Sequence, residues 1–534
     1  MKDPVMTRPA FVHLLLVAAF LWVGEMVRRD LWTPDEVRYA YVADEMRAGG
    51  HWLVPHRNGE VYVDKPPLLF WLNNAFSRLT GLPIGRVTSR LPGFLAGLAT
   101  LWMVARLAER WRGPAAAWPA VLVLCTNYLF WHEIGFGRID GLLLGLTTAA
   151  IYLLVRNDDA PGLWRPALAY ACMGLAILAK GPVGFFVPAG AYAALRWAAG
   201  EGRCLKKWHW LWGPLITLTF PAAWLGLVWW QGAPEGYFRA VLYQQNIARA
   251  AGELGHEQPW YYFLATLPAD LFPWTLLLPA ACLAVARDPE TRGSRRRLAG
   301  WILFVIVFFT LSHSKRHIYI LGAFPAVAIL LGGAWADMAR SPGGWIKFGV
   351  YAFLGVYLVA GIGCLAAGLF PRLPIPAASL WPVGLAALGG AAWMIAELRR
   401  RGISLRVFYA IAATMFLVQW GVGTWIYPAI NPLKTPTILV HEAQAKIPPG
   451  HPLLIYQYNG EIFAYYARRP GRVCRSVEEL EAAMRREGRG IAVFLEKDWD
   501  AVHQNLRVPG TARPFKTGGK ELIQYDYDAG PAGA

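Results

Sequence analysis

The feature that most constrains this fold is a series of apolar runs, each about a bilayer's thickness in helical rise, repeated along most of the chain. Thirteen can be read, at roughly 11–29, 88–108, 115–131, 141–156, 165–179, 183–197, 209–230, 262–286, 298–312, 318–337, 347–369, 378–397 and 406–427. A stretch of about 20 apolar residues crosses hydrocarbon as a helix, because a helix satisfies its backbone hydrogen bonds within the segment. Composition agrees: 56% of the 534 residues are hydrophobic and 16% are charged, whereas a soluble domain carries about 25% charged residues. A soluble multidomain enzyme is therefore excluded. The runs 165–179 and 183–197 are separated only by Lys180, Gly181 and Pro182, so they read as two spans or as one kinked span.

The 52 Lys and Arg exceed the 35 Asp and Glu by 17, but they form no patch or stripe of the kind that binds nucleic acid. They sit in short gaps between apolar runs: Arg110 and Arg112; Arg203, Lys206 and Lys207; Arg292 and Arg295 to Arg297; Arg399 to Arg401. The positive-inside rule makes these loops cytoplasmic. The opposite set, 30–87, 132–140, 231–261, 313–317 and a tail from about 428, then faces outside, or the periplasm of a bacterium. The first run is too long for a signal h-region and lacks a small-residue cleavage site, so it reads as a span. Of six cysteines only Cys474 falls in the exported tail, which leaves it no partner there for a structural disulfide.

From about Thr435 the sequence turns mixed and polar. "PLLIYQY" (452–458), "IAVFLE" (491–496) and "LIQYDYD" (522–528) read as strands, and "SVEELEAAMRRE" (476–487) as a helix with Ser476 as N-cap and Glu479 three residues on. The expected organisation is a membrane domain over 1–434 with exported loops at 30–87 and 231–261, followed by a small α/β domain over 435–534.

The chemistry-bearing residues lie on the expected outer side. "TPDEVRYAYVADEM" (33–46) places Asp35, Glu36 and Arg38 just after the first span, on a segment whose Tyr39, Val42 and Met46 recur at helical spacing. The plain structural reading has Asp35 capping that helix with Arg38 paired to it. In "NGEVYVDKPPLLFWL" (58–72), Asp64 and Lys65 precede two prolines that hold the backbone extended. They read as an ion pair, or Lys65 reads as a ligand for a lipid phosphate at headgroup depth. "WHEIGFGRIDGLLL" (131–144) sets Arg138 and Asp140 at the mouth of a span, a costly position unless they face a cavity. "LAKGPVG" (178–184) brings Lys180 to a break, "GHEQPWYYF" (255–263) brings His256 and Glu257 ahead of an aromatic belt, and "LSHSKRHIYIL" (311–321) gathers His313, Lys315, Arg316, His317 and Tyr319 into one turn. Exported basic residues violate the positive-inside rule, which points to an anionic ligand on that face. Basic groups to hold a phosphate, with the carboxylates Asp35, Glu36 and Asp140 as base or metal ligand, are the minimum apparatus for displacing a phosphate leaving group. No Gly-rich phosphate loop is present, so a lipid-linked donor fits better than a soluble nucleotide sugar.

"PDEVRYA", "NGEVYVDKPPLLFWL", "GRIDGLLLG", "LAKGPVG" and "SKRHIYILGAFPAVAILLG", in this order, resemble the aminoarabinose transferase branch of the polytopic lipid-sugar-dependent glycosyltransferases, distantly related to protein O-mannosyltransferases. The resemblance implies a mainly α, GT-C-like membrane fold with a small periplasmic α/β domain. It implies an inverting transfer of 4-amino-4-deoxy-L-arabinose from undecaprenyl phosphate to a lipid A phosphate at the periplasmic face of the inner membrane, conferring polymyxin resistance. By resemblance Asp35 is the first-loop catalytic carboxylate, Asp140 with Arg138 is the second acidic site, and Lys65 grips the carrier phosphate with help from Tyr62 and Tyr319. Asp64 and His256 look like a metal pair for a divalent ion, Zn or Mg/Mn. The competing expectations are a same-fold transferase with another polyprenyl-phosphate sugar and a protein or glycolipid acceptor, a transporter or flippase, and an exported binding module on a membrane anchor. Transporters usually show repeated halves and polar sites near the bilayer midplane, and this sequence shows neither.

Overall fold

The structure is a computed structural model that describes residues 8–202, 208–248, 257–287, 291–340, 342–448, 450–458, 460–517 and 519–530. The chain forms two compact units: Met1–Arg28, Val63–Leu69 and Arg90–Ile426 make the first, and Arg29–Tyr62, Phe70–Ser89 and Tyr427–Ala534 make the second.

The first unit is a helical assembly. Among the described residues of the chain, seven helices are long and apolar enough to cross a membrane, and two bent pairs, Pro114–Cys125 with Tyr128–Gly135 and Tyr262–Asp270 with Trp274–Ala284, raise the number to nine. The remaining expected spans include shorter helices such as Trp164–Lys180 and Val183–Ala198. Burial separates central helices from peripheral ones: 83% of the apolar window in His317–Trp335 is buried inside the protein, against 22% in His209–Trp230. Leu211, Leu215, Leu218 and Trp229 of the latter stand exposed, as expected of side chains whose solvent is lipid. This is a multi-pass membrane protein.

The break at Gly181 and Pro182 joins two helices, not one kinked span. A Cβ built on Gly184 would lie 2.3 Å from the carbonyl carbon of Ala176, whereas eight residues of continuous helix would separate those positions by about 12 Å. The chain therefore folds back at the break, and Gly181, with φ of 86°, ends the first helix in a conformation open to glycine.

The second unit joins two stretches of the early chain to its C-terminal part. The helix Asp35–Gly49 is present as expected, and its Tyr39, Val42 and Met46 are buried, with the Tyr39 ring 6.1 Å from that of Phe70. Its start differs from the expectation: Pro34 is the N-cap and makes no side-chain cap, so Asp35 is the first helical residue, where a carboxylate meets the positive end of the helix. A hairpin follows, β1 (His56–Arg57) paired with β2 (Glu60–Val61). Its turn residues Asn58 and Gly59 both have positive φ, the two-residue turn that matches strand twist. Their N–H groups donate to the Glu45 carboxylate at 2.8 and 2.6 Å.

The sheet of this unit contains β3 (Leu453–Tyr456), β4 (Gly471–Cys474), β5 (Arg489–Leu495), β6 (Gly510–Thr517) and β7 (Lys520–Asp528), in the order β4-β3-β5-β7-β6. β3 runs parallel to β4 and β5, with Leu454 opposite Ala492, and β7 is antiparallel to β5 and β6. Ser476 caps the helix Val477–Glu487 by accepting from Glu479 N–H at 3.2 Å, and the Glu479 carboxylate accepts from Arg475 N–H at 2.8 Å. That helix buries Leu480, Ala483 and Met484 against Leu454, Cys474 and Phe494. Tyr465 donates to Ile84 O at 3.2 Å and Tyr466 to Leu31 O at 2.7 Å, tying the early stretches to the C-terminal part.

Candidate functional site

The first unit encloses a cavity of about 510 Å³. Segment 63–66 brings Asp64 and Lys65 to its wall, the helix Ile139–Asp159 brings Asp140, the end of Trp164–Lys180 brings Lys180, and the turn His317–Ala323 brings Tyr319. Local structure explains the charged positions. Asp140 lies in the first turn of its helix and Lys180 is the last residue of its own, the two ends where a carboxylate and an ammonium are respectively favoured. Lys180 Nζ donates to Asp140 Oδ1 and lies 4.9 Å from the centre of the Tyr319 ring. The two charged side chains are 16% and 11% exposed, so each needs the other as counter-charge.

Most of the remaining wall is apolar, including Leu143, Leu144, Ile177, Val187, Trp224, Phe308 and Phe309. A largely apolar cavity with two lysines, a tyrosine and two serines in its lining suits an amphiphile that carries hydrocarbon and an anionic head.

Asp64 lines the same cavity, and its Oδ1 accepts from Gln245 Nε2 at 3.1 Å. The expected metal partner, His256, lies outside the described residues. Among the described residues no group of three His, Cys, Asp or Glu side chains could hold a metal.

Three other expected residues stand off the cavity wall. Arg138 Nη1 donates to Glu133 Oε1 at 2.9 Å, with its guanidinium 4.7 Å from the Phe136 ring centre. Lys315, buried, donates to Gln258 O at 3.0 Å, and Arg316 lies within electrostatic reach of Asp140. Glu133 is not among the residues the sequence reading singled out, although a lone carboxylate within the apolar run "YLFWHEIG", costly without a partner, is a signal that could have found it. The pair of His317 Nδ1 with Asp270 Oδ1, at 2.9 Å, gave no sequence signal, because the two residues are 47 positions apart.

The remaining expected residues belong to the second unit. Arg38 pairs with Asp35, its neighbour one helical turn earlier. Burial opposes the Arg38 charge, but Tyr62, Tyr39, Asp35 and Glu461 hold its pKa above the ordinary guanidinium value. Glu461 is itself raised by burial, with Arg57 and Arg38 acting the other way. Tyr62 is buried and carries the Arg57 guanidinium 5.4 Å from its ring centre. Glu36 is sealed: its two carboxylate oxygens accept from Arg29 at 2.6 and 2.9 Å, and one also from Trp32 N–H at 3.0 Å.

Comparison with known proteins places this geometry in context. The family described as dolichyl-phosphate-mannose-protein mannosyltransferase matches residues 64–229. The undecaprenyl phosphate-alpha-4-amino-4-deoxy-L-arabinose arabinosyl transferase of Erwinia tasmaniensis is 30% identical over 433 residues, 75% of this chain and 76% of that protein. Arabinosyl transferase 2 of the same description from Sodalis glossinidius is 29% identical over 332 residues, and the match spans 60% of this chain and 58% of the relative's length. Among solved structures, ArnT from Cupriavidus metallidurans superimposes with a TM-score of 0.76 in the apo state and 0.74 bound to undecaprenyl phosphate. Each is 22% identical and covers 96% of this chain and 97% of that one. The fold is shared with these structures.

Proposed function

The chain belongs to the undecaprenyl phosphate-alpha-4-amino-4-deoxy-L-arabinose arabinosyl transferases, and from that premise we propose that it moves 4-amino-4-deoxy-L-arabinose from undecaprenyl phosphate to a phosphate of lipid A. The membrane is the bacterial inner membrane and the reacting face is periplasmic. The observation that carries this reading is the amphipathic cavity, where Lys65, Lys180 and Tyr319 meet a largely apolar wall.

In this mechanism an oxygen of the acceptor phosphate attacks the anomeric carbon, a C–O bond forms there, and the bond from that carbon to the carrier phosphate oxygen breaks with inversion. The electron pair leaves on undecaprenyl phosphate. Lys65 stabilises that charge as it develops, which is where a fixed cation lowers the barrier. Lys180, oriented by its pairing with Asp140, adds a second positive group to the same wall. A phosphate acceptor is already nucleophilic, so Asp35 need not act as a base.

Mass spectrometry of lipid A from cells with and without the protein tests the reading. The expected product is heavier by one aminopentose per modified phosphate, and Lys65→Ala is expected to remove it while the protein still accumulates in the membrane. An unchanged lipid A, or full modification by Lys65→Ala, overturns the proposal; a different added mass assigns another sugar.

A further inference from the structure

The phosphate end of the cavity is accounted for by cations, but two uncharged hydrogen-bonding groups of the same wall are not. Gln245 lines the cavity from a π-helical stretch, Ala240–Ala248, a backbone form concentrated at functional sites. Its amide has a defined orientation. Asp64 offers only acceptors when ionised, so the end that meets it at 3.1 Å must be Nε2, and the other end must be the carbonyl. That carbonyl oxygen is enclosed and has no hydrogen-bond partner among the described residues. Ser314 lines the same cavity, is 2% exposed, and its Oγ is likewise unpartnered among them. A buried polar atom left unmatched is destabilising, and native sites keep such atoms where a ligand completes them.

The chemistry of the missing partner follows. A phosphate group is acceptor-only when fully ionised and cannot satisfy a carbonyl. A polyprenyl chain offers no polar hydrogen at all. Of the parts of a lipid-phosphate sugar, only the sugar carries O–H and N–H donors. We propose that Gln245, oriented by Asp64 and assisted by Ser314, reads the sugar of the donor, with the Gln245 carbonyl accepting from a sugar hydroxyl or amine. Contact takes a rotamer change in the wall, the ordinary adjustment on ligand entry. This deepens the proposed transfer reaction and rests on it, since it concerns what the cavity recognises beyond phosphate.

The test uses the full-length protein in lipid vesicles with two probes, undecaprenyl phosphate without sugar and undecaprenyl phosphate carrying aminoarabinose. Gln245→Met keeps the side-chain length and removes both polar ends. Its affinity for bare undecaprenyl phosphate is expected to stay within about twofold of the parent, which also shows that it folds. Its kcat/KM for the sugar-bearing donor is expected to fall by about five- to a hundredfold, the range an unmatched buried polar group commands. Ser314→Ala is expected to show the same split at smaller size. Equal loss with both probes would make Gln245 a structural support of Asp64 and overturn the assignment, as would undiminished transfer by Gln245→Met. A parent protein that binds the carrier but transfers no aminoarabinose counts instead against the proposed reaction.

Discussion

Two adjacent carboxylates, Asp35 and Glu36, show how far chemistry at a single residue depends on where its partner comes from. Both were legible as candidate acids beside the first span. Glu36 sits at 0% exposure with both oxygens on Arg29, seven residues earlier in the chain, and this tightly enclosed pair has a structural place. Asp35 pairs with Arg38, whose side chain is 21% exposed. Glu36→Ala would strand the Arg29 charge in the interior, at a cost of about 3–5 kcal/mol, and is expected to lower the melting temperature of the detergent-solubilised protein sharply. Asp35→Asn keeps an acceptor for Arg38 and is expected to lower that temperature less than Glu36→Ala does, while abolishing transfer to lipid A. A thermally silent Glu36→Ala would show that the Arg29 pair is not what holds this region. Residue types told which side chains could react; the seven-residue span from Arg29 to Glu36 across a non-helical segment told which one is sealed.

At the scale of elements, the helical hairpin at Gly181 and Pro182 supplies one part of the cavity wall. Lys180, at the end of the hairpin's first helix, meets Asp140 at the start of another. Gly184 is the contact that lets the two arms approach. Gly184→Leu would force its Cβ into the Ala176 backbone, and overpacking of this kind costs about 1–3 kcal/mol. The expected result is a lower melting temperature together with an at least tenfold weaker grip on undecaprenyl phosphate, as the wall shifts. Gly226→Ala, in open space on the helix His209–Trp230, is expected to change neither, and differential scanning fluorimetry with a carrier-binding assay reads both. In the second unit, β3, β5 and β7 announced themselves by apolar runs. β6 did not: Gly510–Thr517 is a mostly exposed edge carrying Arg513, Pro514 and Lys516, and it is a strand because β7 pairs with it. β4 is four residues long and is likewise defined by pairing, here with β3.

The whole molecule adds an organisation that no local window contains. The segment expected as an exported loop of the membrane domain contributes most of its length to the same compact unit as the C-terminal sheet, while 63–69 returns to the helical unit and carries Asp64 and Lys65 to the cavity. Orientation in the membrane is tested with cysteines placed on an otherwise cysteine-free chain. A membrane-impermeant maleimide applied to intact spheroplasts is expected to label a cysteine at Lys516, exposed in the sheet, and to spare one at Arg401; the reverse pattern would invert the proposed topology. The sequence by itself determined the membrane class, the mainly helical character of the apolar runs and the α/β character of the tail. Those follow from local hydrophobicity and from the cost of charge in lipid, which act residue by residue. Only the tertiary structure decided that Asp140 takes Lys180 as its partner, that Glu36 is sealed by Arg29, and that an uncharged glutamine stands beside Asp64. Those pairings join residues distant in the chain, where packing geometry selects one partner from several that charge alone would allow.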